Sequence, residues 1–494
     1  MPERASLPGM TAEFAPRPGN AALPAHVRLL ERPLGIAASL RAARRNLLEI
    51  IPARAVEDPV VSGRTAIVRW HMLMDPSSLR RVLRDRLDDY PKSAVTKNIL
   101  SPAIGKSLFI AEGAEWRWQR RTAAPAFTRR NVDALGPVMS RAAEAAAERL
   151  AAGARPGRAL DLAREMVAST FEVISEVTFG GGDGLDLHEV HSSLDSYIDA
   201  AARVSPLDIV GVPTWVPRPA RLAASRRLEA MRTAANAMIA RDAPAPAGAA
   251  PGLLALLRDG SDPRDGRRMT TDELRDNLLT FIVAGHETTA LTLAWALYLA
   301  AFDPHVQERA RDEARAVHAG RAATAEDLPR LPYLRQIVEE ALRLYPPAGF
   351  LSRTAQAEDI LCGARVRPGD TVTIPVYALH RHRRLWDRPD VFDPDRFADR
   401  SAVQRFAFLP FGDGPRICIG ASFALQEAVI VLSTLLARFR FRLVPGVAPR
   451  PVMVLTLRPE GGVWLQVEDL DARAGGGGRR PVQPNAAAFT SSSM

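Results

Sequence analysis

The sequence predicts a mainly α-helical fold with a small β lobe, and three observations carry that expectation. Long helical patterns recur at 142–152, 160–179, 270–302, 331–345 and 421–439, whereas strand-like runs are few, at 65–74, 366–374 and 443–467. The 494 residues are 47% hydrophobic, enough for a large core and, on length alone, for several domains. Two cysteines, Cys362 and Cys418, allow neither a disulfide framework nor a thiol-based zinc site, which fits a reducing compartment.

The net charge of +9 comes mostly from arginine. No finger, helix-turn-helix spacing or aromatic-basic motif accompanies it, so nucleic acid is not the expected partner. No run of eighteen or more apolar residues occurs, and 1–19 carries scattered prolines and charges where a signal peptide needs an apolar core. The expectation is a soluble, cytoplasmic protein with no transmembrane anchor.

In chain order, 1–24 is irregular and rich in Pro and Gly. An amphipathic helix follows at 38–51, with Leu40, Leu47 and Ile50 on one face and Arg41 and Arg45 turned away. A strand at 65–74 and a helix at 76–87 begin the β lobe. The aperiodic stretch 90–113 collects Pro, Lys, Ser and Gly, and 115–127 is helical, with Trp116 and Arg120 on one face. The 186–240 region is helical around a proline-rich break at 211–219, and 243–251 is a flexible connector.

Thr270 and Glu273 form a capping box, so a helix starts there; Asp303-Pro304 ends it. In its middle stands Ala284-Gly285-His286-Glu287-Thr288-Thr289, poor helix material that weakens the ladder where a small ligand could enter. The next helix, 331–345, is closed by Pro346-Pro347 and carries Glu340 and Arg343 on one face. Pro368-Gly369-Asp370 marks a hairpin over 366–374, and Glu460-Gly461-Gly462 another within 443–467. From Gly475 the composition is that of a disordered tail.

The most informative stretch is 406–420, FAFLPFGDGPRICIG. An apolar strand at 406–409 leads into a turn-rich loop that delivers Cys418 just before the 421–439 helix. Unpaired N–H groups at that helix start, together with Arg416, favour a thiolate, and Gly414 and Gly420 let a flat ligand approach the backbone. Such a thiolate can be a nucleophile, a redox thiol or an axial metal ligand.

Phe411, Gly414, Arg416, Cys418 and Gly420 stand as F-x-x-G-x-R-x-C-x-G, which resembles the haem-binding loop of the cytochrome P450 family. Four further segments resemble that family in its order: Trp116 with Arg120, the 284–289 run, Glu340 with Arg343, and Arg396 in Pro-Asp-Arg-Phe. The resemblance covers 38–467 and implies the cytochrome P450 fold as one unit, taken as 25–470 between the irregular 1–24 and a disordered 471–494.

The resemblance implies heme b with Cys418 as axial ligand. Trp116, Arg120, Arg353 and Arg416 would hold the propionates, Phe411 and Gly420 would shape the loop, and Ala284 and Gly285 would leave room above the iron. Thr288 would hydrogen-bond dioxygen and Glu287 would relay protons from water, since O–O cleavage toward water needs two protons. Ala284 stands where some fatty-acid-hydroxylating branches have Glu, so no ester to the haem is expected. Glu340, Arg343 and Arg396 would brace the cysteine loop, with His380, Arg381 and Trp386 packing near it.

The implied activity is a monooxygenase placing one atom of O2 into a small apolar organic substrate. Electrons would come from NAD(P)H through a separate ferredoxin or flavodoxin and its reductase, docking on Arg117, Arg120, Arg121, Arg129 and Arg130. A monomer is expected. A peroxygenase or isomerase on the same scaffold, or a non-enzymatic haem sensor, are the rival readings, and fatty acids, terpenoids and xenobiotics all stay open as substrates.

Overall fold

The computed structural model describes residues 23–179 and 252–475, except 33, 66 and 67, together with 229, 231–233, 235–237, 239 and 240. The helices expected over 186–240 therefore lie largely outside the described residues, as do the connector at 243–251, the segment 1–22 and the tail from 476. At 470 the chain does not yet leave the fold: Leu470–Gly475 is helical, where the tail was expected from 471.

The first helix, Ile36–Arg45, stops short of 51 because Asn46 turns extended. Its Oδ1 accepts from Leu48 N–H at 3.1 Å and starts a separate 3-10 turn, Leu47–Ile50. The single strand expected at 65–74 is two, β1 (Val60–Thr65) and β2 (Val68–Leu73), paired antiparallel. Pro76–Arg80 follows, capped by Asp75. The aperiodic stretch holds a helix, Ala94–Ile104, capped by Ser93. Pro102 inside it masks the helical pattern in sequence.

Gly113–Ala123, Gly136–Gly153 and Leu162–Phe179 are helical as expected, with the short β3 (Ala159–Asp161) before the last. Thr271–Phe302 then runs for 32 residues from the Thr270–Glu273 capping box. At about 1.5 Å per residue it spans about 48 Å. It is buried nearly all round and packs on Leu162–Phe179, Pro332–Leu344 and Ala421–Arg438. Ala421–Arg438 is long and apolar enough to cross a membrane, yet it is a mostly buried core helix.

The β lobe differs from expectation in its pairing. β4 (Leu351–Thr354) and β7 (Thr371–Ile374) complete a sheet of order β1-β2-β7-β4, with β2 and β7 parallel. The hairpin lies one strand earlier than 366–374: β5 (Asp359–Leu361) pairs with β6 (Ala364–Val366) across Cys362 and Gly363, both at positive φ, 47° and 77°. β8 (Phe439–Leu443) pairs with β11 (Trp464–Asp469), and β9 (Arg450–Met453) with β10 (Leu457–Glu460). The last hairpin thus turns at 454–456, and Gly461-Gly462 carries the chain from one sheet to the next. No strand forms at 406–409, where Phe406 takes φ 66° in a turn.

Candidate active site

The cysteine loop is shaped by its backbone. Gly414 sits at φ 74°, and a Cβ there would lie 2.3 Å from the Leu83 carbonyl oxygen, so only glycine fits between the loop and the Arg81–Asp85 turn. Gly420 precedes the Ala421–Arg438 helix, and a Cβ on it would meet open space, room of the kind a flat ligand needs. Cys418 N–H donates to Phe411 O at 2.9 Å, which closes the loop.

Cys418 presents an accessible surface although protein surrounds it, so its thiol faces an internal space. Burial pushes the thiol up; the Gly420 backbone N–H and the charges of Arg120 and Lys92 oppose it without prevailing. The helix start alone does not make the thiolate expected from sequence. A directly bonded metal would, because a coordinating thiol is deprotonated outright. Among the described residues no group of three or more His, Cys, Asp or Glu is placed to hold a metal.

Four cations converge near that thiol: Lys92, Arg120, Arg353 and Arg416. Burial, above all, pushes all four down, Arg353 to about 10 and Lys92 well below its ordinary value. Arg353 and Arg416 also repel Lys92, and Arg416 repels Arg353. The carboxylate among them is Glu112, paired with Arg416 and also with Lys97 at 3.3 Å. Arg353 Nε is buried without a partner. Trp116 gives its ring face to Arg416 at 4.4 Å. A cation surplus of this size, desolvated and partly unpartnered, fits a dianionic group such as the two propionates of haem.

Lys92 and Glu112 were missed in sequence because they sit in the aperiodic stretch. Lys92 reaches the site through tertiary structure, bridging Arg353 on β4, while its ammonium lies 3.2 Å over the Phe109 ring. One signal was available: the chain has three lysines, and all three, Lys92, Lys97 and Lys106, fall in this segment.

On the long helix Ala284 is exposed while His286 and Glu287 are buried, which fits the role of leaving room beside the helix. Gly285 does not share that role. Its missing Cβ points to Ile174 Cδ1 at 3.2 Å, and its smallness lets the Leu162–Phe179 helix approach. Thr288 Oγ donates to Ala284 O at 2.7 Å, and Thr170 Oγ donates to His286 O at 2.9 Å. The helix runs unbroken, these hydroxyls bonding its carbonyls from outside the ladder. His286 packs edge-on to Phe171, 5.7 Å between centroids, as a packing residue would.

Glu287 is not joined to Thr288. Its Oε1 accepts from Thr456 Oγ at 2.8 Å and Arg458 Nε at 2.5 Å, both on the β9–β10 hairpin. Neither partner was legible in sequence, where the hairpin registered only as alternation.

The brace forms as expected. Glu340 and Arg343 are both fully buried and bond through two contacts at 2.6 and 2.7 Å. Arg343 also donates to the carbonyls of His380, Pro389 and Val391, and Arg396 stands 3.5 Å from Glu340. His380 links this network to the cysteine loop: Leu409 N–H donates to its Nε2 at 2.8 Å, and its Nδ1–H donates to Arg343 O at 3.2 Å. Burial, then the Arg343 charge, lowers His380 to about 3, so the ring is neutral.

A cleft of about 730 Å³ opens beside Trp116, Arg117, Arg120 and Pro415. Several arginines expected to receive a redox partner are paired within the chain: Arg117 with Asp88 at 3.0 Å, Arg121 with Asp262 at 2.5 Å, Arg129 with Asp133 at 3.6 Å.

Residues 54–466 match the family model described as Cytochrome P450. The chain is 34% identical to cyclooctatin synthase of Streptomyces melanosporofaciens, over 90% of this chain and 93% of the relative. It is 33% identical to cyclooctat-9-en-7-ol 5-monooxygenase of the same organism, over 87% and 90%. It is 32% identical to putative cytochrome P450 132 of Mycobacterium tuberculosis, over 81% and 88%.

Proposed function

The chain belongs to the cytochrome P450 family and is a haem-thiolate monooxygenase, and from that premise we propose that it hydroxylates a small apolar molecule with electrons from NAD(P)H delivered by a separate ferredoxin or flavodoxin and its reductase. The net reaction takes substrate, O2, two electrons and two protons to the alcohol and water.

The observation that carries the site assignment is the surplus of buried cations around Cys418. Lys92, Arg120, Arg353 and Arg416, with Trp116, would hold the propionates, and Phe411 and Gly420 would shape the loop for the ring. Haem supplies the oxygen chemistry when bound, promoted by electron density from the Cys418 sulfur. Thr288, whose hydroxyl bonds Ala284 O, turns to donate its hydrogen bond toward the oxygen site that Ala284 leaves open. Glu287, the residue before Thr288, would help relay protons from water to it.

An apolar substrate is supported by the apolar cluster that joins Leu279, Ile282 and Val283 of the long helix to Leu100 and to Val454 and Leu455 of the β9–β10 turn. One relative, by its name, oxidises an unsaturated alcohol. Work as a monomer in the cytoplasm, where NAD(P)H is at hand, completes the reading.

The test is a ligand panel of geranylgeraniol, lauric acid and a steroid, screened for a shift of the haem Soret band, followed by turnover. NADPH with a plant-type ferredoxin and its reductase should give hydroxylated product, with a rate that falls steeply with salt. Turnover with hydrogen peroxide alone would identify a peroxygenase. Haem binding without NADPH consumption would identify a binding protein.

A further inference from the structure

The apolar cluster beside the long helix is separate from the main core and is drawn from elements far apart in the chain. Ala103 and Ile104 of the Ala94–Ile104 helix, Phe171 and Ile174 of Leu162–Phe179, and Leu279 and Ile282 of the long helix are buried in it. Leu100, Val283, Val454 and Leu455 pack against it and stay only partly buried. Met231 and Ala235, four apart and so on one helix face, join it from the 229–240 segment.

Arg232 follows Met231 and carries a permanent charge to the edge of this apolar wall. Its Nη2 donates to Pro102 O at 3.1 Å, in the helix turn that also holds Leu100 and Ala103. That carbonyl can accept because Lys106 N–H, four residues on, donates to Asp276 Oδ2 at 2.9 Å instead. The contact caps the end of the 94–104 helix and uses one of the five N–H donors of the guanidinium. Nε is buried with no partner, and among the described residues no carboxylate pairs with Arg232. Arg353, assigned above to a propionate, stands in the same state, with one N–H on Ser352 O at 3.1 Å and Nε buried without a partner.

A buried donor left unmade is costly, and a guanidinium presents a planar fork that a carboxylate matches. We propose that the substrate is a monocarboxylic acid with an apolar chain, its carboxylate held by Arg232 and its chain laid along the cluster toward Val283, the residue before Ala284. The single positive charge of Arg232 balances the single negative charge of the acid. The proposal rests on the reading of an apolar substrate bound at this cluster, and adds the charged end to it.

Haem-loaded wild type, R232Q and R232K, each checked by its ferrous-CO spectrum, are titrated with lauric, myristic and palmitic acids and with the alcohols of the same chain lengths, and dissociation constants are read from the Soret shift. The wild type should bind the best acid about tenfold more tightly than its alcohol, as one charge-assisted hydrogen bond gives. R232Q should remove that preference and leave the alcohol's constant unchanged, while R232K should keep part of it. Acid and alcohol bound equally by the wild type would overturn the charged end and leave the apolar site standing. Weaker binding of both ligands alike in R232Q would reduce Arg232 to a cap of the 94–104 helix and overturn the proposal. A wild-type Soret band that no acid and no alcohol shifts would remove the apolar site, and the proposal with it.

Discussion

Acidification should weaken this fold through His380, by an amount the structure sets. The ring is locked neutral from both sides, since a carbonyl can only accept at Nδ1 and an N–H can only donate to Nε2. A second proton would face the Leu409 N–H and the Arg343 charge. Its value falls to about 3 in the fold, against an ordinary value of about 6.5 in the unfolded chain. The unfolded chain therefore binds the extra proton first. Stability from the neutral ring is complete above about pH 6.5 and is lost as pH falls toward 3. Between pH 7 and pH 5 the loss is about 2 kcal/mol, at about 1.4 kcal/mol per unit over the part of that interval below 6.5. His380→Gln keeps an acceptor and a donor but cannot titrate. Guanidinium unfolding of both haem-loaded proteins at pH 7 and 5 should show the wild type losing about 2 kcal/mol more than the variant. Equal losses would show that His380 is charged in the fold, and the link between brace and cysteine loop would be misassigned.

Two further outcomes follow from the same geometry. Glu340→Ala strands the fully buried Arg343 charge, at a cost of about 3–5 kcal/mol, and should yield protein that takes up no haem; a normal ferrous-CO spectrum would refute the brace. Lys92→Met should act with opposite signs, stabilising the haem-free chain by removing repulsion from Arg353 and Arg416, while speeding haem transfer to apomyoglobin by about 10–100-fold for one lost charge-assisted bond; unchanged transfer would remove Lys92 from the propionate site.

Much of the site was legible because its chemistry needs local spacing. Cys418 at a helix start, Glu340 and Arg343 three apart, Trp116 and Arg120 four apart, and the Thr270 capping box are all set by backbone geometry over a few residues. The long helices were legible for the same reason, since a period of 3.6 repeats within each segment. Strand pairing was not, because a strand's partner lies elsewhere in the chain. The alternation at 366–374 and 443–467 was real, but the hairpins turn at Cys362–Gly363 and 454–456.

What the sequence by itself determined is the cysteine loop at a helix start, the Glu340–Arg343 brace and the long capped helix. Only the tertiary structure decided how charge is arranged around them. It brought Lys92 and Glu112 out of an aperiodic stretch to the cations of β4 and the cysteine loop, turned Gly285 toward Ile174 instead of the oxygen site, and gave Glu287 to Arg458. The reason is physical: a buried charge takes its partner from whatever element the fold lays beside it, and that neighbour leaves no period in the chain.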